Sequence, residues 1–430
     1  MLRLRAAAVL CGLATACAGV LALGAPPASA DTVRDGQQWV LNMLGAPDAW
    51  ATSQGAGVTV AVLDSGVDPG VSDLAGSVIG GPDLTGVSTP ASSPDWGQHG
   101  TWMASIIAGH GHGPAGDSGI VGVAPAAKIL SVRVIPDKND PGYGTYEHEQ
   151  ETKVQTSLAT GIRYAVDHGA DIVSMSIGYS VPSAAVRSAL QYANGHGVVV
   201  VASSGNSGGT PFVQRHDFAP LSFPADYPGV IGVAAVGTGG SAAGFSSENL
   251  SVQVAAPGVN VPAQGRDGQY WLVSGTSPAC ALVAGVAALI KSRYPGLAPD
   301  LVARALTSTT GYRPGAGYDQ QVGFGTVDAA AALSSAGQLR HERAVQAGVT
   351  SDVNFGGGPP AVPASPVAPR GSGQLILFGV LAVTALALMA AAVSRLAVLN
   401  RMRRRSDYGG DAVAGLPSSP APFGVNDPHP

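Results

Sequence analysis

The sequence predicts an α/β fold built on a mainly parallel sheet with helices on both faces. Three observations predict it: apolar β-branched runs recur through the middle of the chain, stretches of helical spacing alternate with them, and glycines punctuate the joints. Residues 58–63 read as a buried strand, 101–108 as a helix and 129–135 as the next strand. In residues 157–168, Leu158, Ile162, Ala165 and Val166 fall at helical spacing, and Gly169 follows as a stop. Residues 172–176 form a strand, 184–193 a helix, 198–202 a wholly apolar strand and 281–290 an apolar helix. Strand–helix–strand units of this kind join by right-handed crossovers.

Composition and the two ends set the organisation. Of 430 residues, 45% are hydrophobic and only 12% charged, so the chain can bury a sizeable core. A net charge of −5 lacks the basic excess of a nucleic-acid surface, and no nucleic-acid partner is expected. Arg3 and Arg5, the apolar residues 6–23 and the small residues Ala28-Ser29-Ala30 read as a signal peptide over residues 1–30. Residues 31–57 are a mixed lead-in, 58–335 the main domain, and 336–373 a Pro/Gly/Ala-rich linker. Residues 374–394 have about the length and apolarity of one membrane-spanning helix. In the tail, 395–430, Arg395, Arg401, Arg403, Arg404 and Arg405 mark the cytoplasmic side, which places the main domain outside the cell membrane. Cys11 and Cys17 leave with the signal peptide. Cys280 alone can make no internal disulfide, so the domain must hold through its core.

Three segments carry chemistry. Val60-Ala61-Val62-Leu63-Asp64-Ser65-Gly66 puts a carboxylate where a strand ends, the edge at which open parallel sheets bind ligands. His99-Gly100-Thr101 opens a helix of small apolar residues. Ser274-Gly275-Thr276-Ser277 presents a serine at a helix start, where free N–H groups favour developing negative charge. Taken singly, each is ordinary: a turn acid, a loop histidine, a helix cap. Together, Asp64, His99 and Ser277 follow one of the few chain orders in which an acyl-transfer triad occurs.

The stretches VAVLDSGV, HGTWMA and SGTSPA resemble the three active-site signatures of the subtilisin-like serine proteases, over roughly residues 57–335. The resemblance implies a subtilisin-like three-layer fold, His99 as general base, Asp64 as its orienting partner and Ser277 as nucleophile. Residues 198–206 resemble the family's strand leading to an oxyanion-hole asparagine, which maps to Asn206. The segment containing Ser174, Ser176, Ile177 and Gly178 resembles the one that pairs with an extended substrate and walls its first pocket. Gly142, Tyr143 and Gly144 fall where a second flanking strand is expected. Pro278 stands where the family commonly has Met, and Ala281 replaces a proline. The lead-in is too short for the inhibitory pro-domain of many relatives, so it is expected to pack along the domain or be trimmed.

The layout as a whole resembles the mycosins, proteases associated with type VII secretion in actinobacteria. That resemblance implies an endopeptidase acting on a protein substrate, anchored by a single span and partnered with the type VII secretion membrane complex. The alternative is a structural subunit using the protease fold for assembly. Mycosins often carry disulfides, which this mature chain lacks. No metal or other cofactor is expected. His110 and His112 read as a surface loop without a third ligand, Glu147-His148-Glu149 as a solvated loop, Asp68 and Asp73 as turn acids, and Cys280 as packing.

Overall fold

The computed structural model of the chain describes residues 30–144, 150–216, 218–341 and 372–407. The expected signal peptide, most of the linker, the end of the tail and Glu147-His148-Glu149 lie outside the described residues. The chain divides into two units, Met1–Val345 and Gln346–Pro430.

In the first unit the strands are β1 (Thr59–Asp64), β2 (Val78–Asp83), β3 (His110–His112), β4 (Ser118–Val121), β5 (Lys128–Arg133) and β6 (Ile172–Met175). β7 (Val199–Ser203), β8 (Val230–Val236), β9 (Val252–Pro257), β10 (Val261–Gln264) and β11 (Tyr270–Val273) follow. Its helices are α1 (Ala30–Met43), α2 (Ala46–Trp50), α3 (Gln98–Ala108), α4 (Gln150–Asp167) and α5 (Ala184–Gly195). α6 (Pro211–His216), α7 (Thr276–Arg293), α8 (Pro299–Ser308) and α9 (Ala329–Leu339) complete it. Seven strands form one sheet in the order β2-β5-β1-β6-β7-β8-β9, and every pairing in it is parallel. β3–β4 and β10–β11 are separate antiparallel hairpins.

The two-residue period of a strand sorts the side chains into two cores. Val60 and Val62 of β1 join Ile129, Ile172, Val199 and Val201 beneath α3, α7, α8 and α9. Ala61 and Leu63 point the other way, with Leu130, Val132, Val173 and Met175, onto α4 and α5. Both faces are covered, which is why these strands read as unbroken apolar runs rather than alternating ones. The α/β arrangement with a mainly parallel sheet expected from the sequence is the one observed.

Two expectations need adjusting. The helix expected from residue 157 begins earlier, at Gln150, and the one expected from 281 begins at Thr276, placing Ser277 in its first turn. The lead-in packs along the domain, as expected, and does so as the helices α1 and α2. Val33, Gln37, Val40, Leu41 and Leu44 fall on one helical stripe, and all are buried. Both ends of the Gln37 amide bond the backbone of Val121, at 2.6 and 3.0 Å, and Arg34 donates to the carbonyls of Gly116, Ser118 and Gly119. Charged and amide residues between the apolar ones hide this stripe in a simple polarity reading.

The second unit contributes α10 (Ser372–Asp407). The expected span, 374–394, lies within it. Its described apolar side chains, among them Val380, Leu381, Leu386 and Leu388, are exposed. Among the described residues no helix is long and apolar enough to cross a membrane.

Replacing Gln37 by Leu removes its partner from a partly buried backbone N–H and C=O at Val121. Urea unfolding of Gln37→Leu is expected to show a loss of about 2 kcal/mol. The exposed neighbour Gln38→Leu is expected to change stability by less than about 0.5 kcal/mol.

Candidate active site

β1 runs out at Asp64 on the carboxyl edge of the sheet, between Arg133 at the end of β5 and Met175 at the end of β6. The carboxylate is buried. Its Oδ1 accepts the Ser65 N–H at 2.7 Å and lies 2.7 Å from Nδ1 of His99. His99 is the second residue of α3, with its ring partly exposed and set edge-on to Trp102 at a centroid distance of 6.1 Å. Gly100 packs its Cα against the Gly66 carbonyl, where a Cβ would collide, and its N–H reaches Ser65 Oγ at 3.1 Å. That close approach brings α3 down onto the end of β1 and explains the His-Gly pair.

Ser277 is presented separately. Gly275, at φ 152°, turns the chain into α7 in a conformation other residues rarely adopt. The side-chain oxygen of Asn206 then accepts the Thr276 N–H at 2.9 Å and its hydroxyl at 3.0 Å, while Thr276 Oγ1 accepts the Gly205 N–H at 3.2 Å. With its oxygen so engaged, the Asn206 amide nitrogen is left on the Gly275 side. The Ser277 carbonyl accepts Ser176 Oγ at 3.2 Å. Ser176 directly follows β6, the strand next to β1, so this bond ties the start of α7 to the carboxyl edge of the sheet. Asp64 and His99 are hydrogen-bonded; no hydrogen bond joins His99 to Ser277. Pro278 costs nothing in the first turn, where its missing N–H would have had no helical partner.

The expected substrate segments divide. Ile177 is buried, and Gly178 lies against the hydroxyl of Ser222, which also sits beside Gly205. Ser174 is buried, with its hydroxyl 3.8 Å from the Cys280 thiol, so it serves the interior rather than a cleft wall. Burial pushes that thiol up to about 12, which keeps Cys280 protonated. Gly142, Tyr143 and Gly144 do not form the expected flanking strand. Gly142 lies in a turn and Tyr143 and Gly144 are helical; Asp140 holds them, taking the Gly142 N–H on its carboxylate and the Tyr143 N–H on its carbonyl, both at 2.8 Å. Asp140 is itself held by Arg133 at 2.6 Å.

Two other acids depart from, or add to, the sequence reading. Asp73, expected as a turn acid, is instead a buried hub. It is fully buried, receiving Ile120 N–H at 2.7 Å, Tyr270 OH at 3.1 Å and the His112 ring at 2.6 Å. Asp68 does hold a turn, through the Gly70 N–H at 2.9 Å. Asp137, unmarked in the loop after β5, accepts the N–H groups of Gln98 at 2.8 Å and His99 at 3.2 Å. Ser222 was equally silent in sequence, since a loop serine before Phe-Pro carries no signature. Among the described residues no three His, Cys, Asp or Glu side chains gather as metal ligands.

Desolvation acts most strongly on His99 and lowers its pKa, but the charge of Asp64, its hydrogen bond and the charge of Asp137 outweigh it. The imidazole therefore lies above its ordinary 6.5. Desolvation, with the charge of Asp64, raises the Asp137 carboxyl.

Residues 55–325 match the subtilase family profile of the S8 peptidases. The chain belongs to the subtilase family and is a subtilisin-like serine endopeptidase. Mycosins are among its relatives. It is 34% identical to mycosin-1 of Mycobacterium tuberculosis over 334 residues, covering 69% of this chain and 73% of that one. Thermitase of Thermoactinomyces vulgaris is 36% identical over 258 residues, 60% of this chain and 83% of that one. The crystal structure of MycP1 from Mycobacterium smegmatis superposes with a TM-score of 0.57 at 32% identity, covering 69% of this chain and 84% of that one.

A raised His99 pKa fixes two signs. Base catalysis by His99 would need the neutral ring, so on that role kcat/KM is expected to rise with pH through an apparent pKa above 6.5. The same shift stabilises the fold fully below the ordinary value, a contribution lost as pH rises through the folded one. A pH series of rates and melting temperatures checks both; Asp64→Asn is expected to lower the apparent pKa.

Proposed function

We propose that Asp64, His99 and Ser277 form the triad of this endopeptidase and that Asn206 completes its oxyanion hole. The observation that carries this reading is the 2.7 Å contact between Asp64 Oδ1 and His99 Nδ1. It fixes the tautomer with the proton on Nδ1 and leaves Nε2 as the base. His99 removes the Ser277 proton as Oγ attacks the scissile carbonyl, and the imidazolium that forms is stabilised by Asp64. The Ser277 N–H, free in the first turn of α7, and the Asn206 amide hold the oxyanion. His99 returns its proton to the leaving amine, and water then releases the acyl group by the same steps. Substrate is held beside Ser176, Ile177 and Gly178, with Ser222 between Gly178 and Gly205 narrowing the adjoining space.

We further propose that the subtilase domain lies outside the cell membrane, after a signal peptide over residues 1–30 and before a linker. A single span at 374–394 anchors it, with the Arg-rich tail inside. Supporting this are the apolar run within α10, the exposed apolar side chains around that helix and the arginines that follow. A place in type VII secretion is supported by the likeness to mycosin-1 and to MycP1, described as from the ESX-1 type VII secretion system.

A fluorophosphonate probe on the full chain is expected to label wild type and not Ser277→Ala, with kcat reduced on the order of 10⁶ in the mutant. Equal labelling of the two would leave the fold as an assembly module. Asn206→Leu is expected to lower kcat roughly 10²–10³-fold with little change in KM. Removing residues 372–430 is expected to move the protein from the membrane fraction to the soluble one.

A further inference from the structure

The helix that carries His99 begins without a cap of its own. Its N-cap, Gly97, is left-handed at φ 77° and has no side chain to offer the first-turn N–H groups. Asp137 supplies what is missing from 38 residues away: Oδ2 takes the Gln98 N–H at 2.8 Å and Oδ1 the His99 N–H at 3.2 Å. We propose that Asp137 is a positioning residue of this active site, one carboxylate that both seats His99 and offsets the positive helix end beside it. The inference rests on His99 being the general base.

The electrostatic problem is specific to this placement. An imidazolium forms on His99 during acyl transfer, and the ring sits in the first helical turn, where the backbone dipole disfavours a cation. A carboxylate on those same N–H groups cancels that end of the helix. The charged groups around the ring divide clearly. Asp64 and Asp137 favour the imidazolium, and exposed Lys138, next to Asp137, opposes it. Arg133 is already committed to Asp83, Asp140 and the Ser65 carbonyl, and Arg266 to the carbonyls of Trp96 and Ala91. Asp137 is therefore the nearby acid, besides Asp64, that is bonded to the histidine's own residue.

Asp137→Asn and Asp137→Ser keep an oxygen for the helix start and remove the charge. The full-length chain of each is expected to melt close to wild type. The His99 ring titration, followed by NMR with His99→Gln to assign the signal, is expected to fall by roughly half a unit to one unit. The pH midpoint of fluorophosphonate labelling should fall with it. The plateau kcat should drop about 3- to 10-fold at unchanged KM, and Asp137→Glu should restore the profile. Folded variants with an unmoved His99 titration would overturn the proposal, and so would loss of folding in both, which would reduce Asp137 to a structural cap. Absence of Ser277-dependent labelling in wild type would instead refute the triad, while the ring titration would still read the Asp137 charge.

Discussion

The site depends on a buried carboxylate facing an imidazole across 2.7 Å at the edge of a parallel sheet. Asp64 is taken out of water by strands on both sides of β1, and its Oδ1 is met by the Ser65 N–H and the histidine ring. A buried charge is costly unless it is paired and hydrogen-bonded. Moving α3 away from the end of β1 would therefore strand Asp64 as well as misplace His99. Stability of this edge and readiness for proton transfer come from the same contact.

Around that contact the protein uses charged side chains as fasteners for backbone. Arg133, fully buried at the end of β5, reaches the Ser65 carbonyl, Asp83 at 2.5 Å and Asp140 at 2.6 Å, and stacks near Trp96. It thereby ties the end of β1 to the end of β2 and to the loop after β5. Such a network rewards geometry more than it adds raw stability, since desolvation offsets much of the attraction. Losing one partner would leave the others buried and unpaired. Asp73 serves similarly for the β3–β4 hairpin, on which Arg34 and Gln37 dock α1. A domain with a single buried thiol, Cys280, thus closes its long-range contacts by hydrogen bonds and ion pairs instead of disulfides.

The second half of the site is built on neutral groups. Asn206 spends its oxygen on Thr276 and so has its nitrogen directed by the loop it stabilises. Ser176 bonds the carbonyl of Ser277, linking the end of β6 to the first turn of α7. Preorganised donors of this kind do not need to reorient when charge develops.

The sequence by itself determined the parallel sheet and its main helices, and its short motifs singled out Asp64, His99, Ser277 and Asn206 as candidates. Apolar runs bounded by glycines can hardly be anything else, and each signature packs its chemistry into a few neighbouring residues. Only the tertiary structure decided that Asp137 and Ser222 sit against the site, that Gly142, Tyr143 and Gly144 form no strand, that Ser174 faces Cys280, and that Asp73 is buried. It also made helices of the lead-in. The physical reason is common to these cases: the deciding partner lies far away in the chain, and a loop acid or serine looks the same whether it meets water or a distant backbone N–H. Local pattern records periodicity and short-range turns; it carries no trace of which remote group will arrive to satisfy a polar atom.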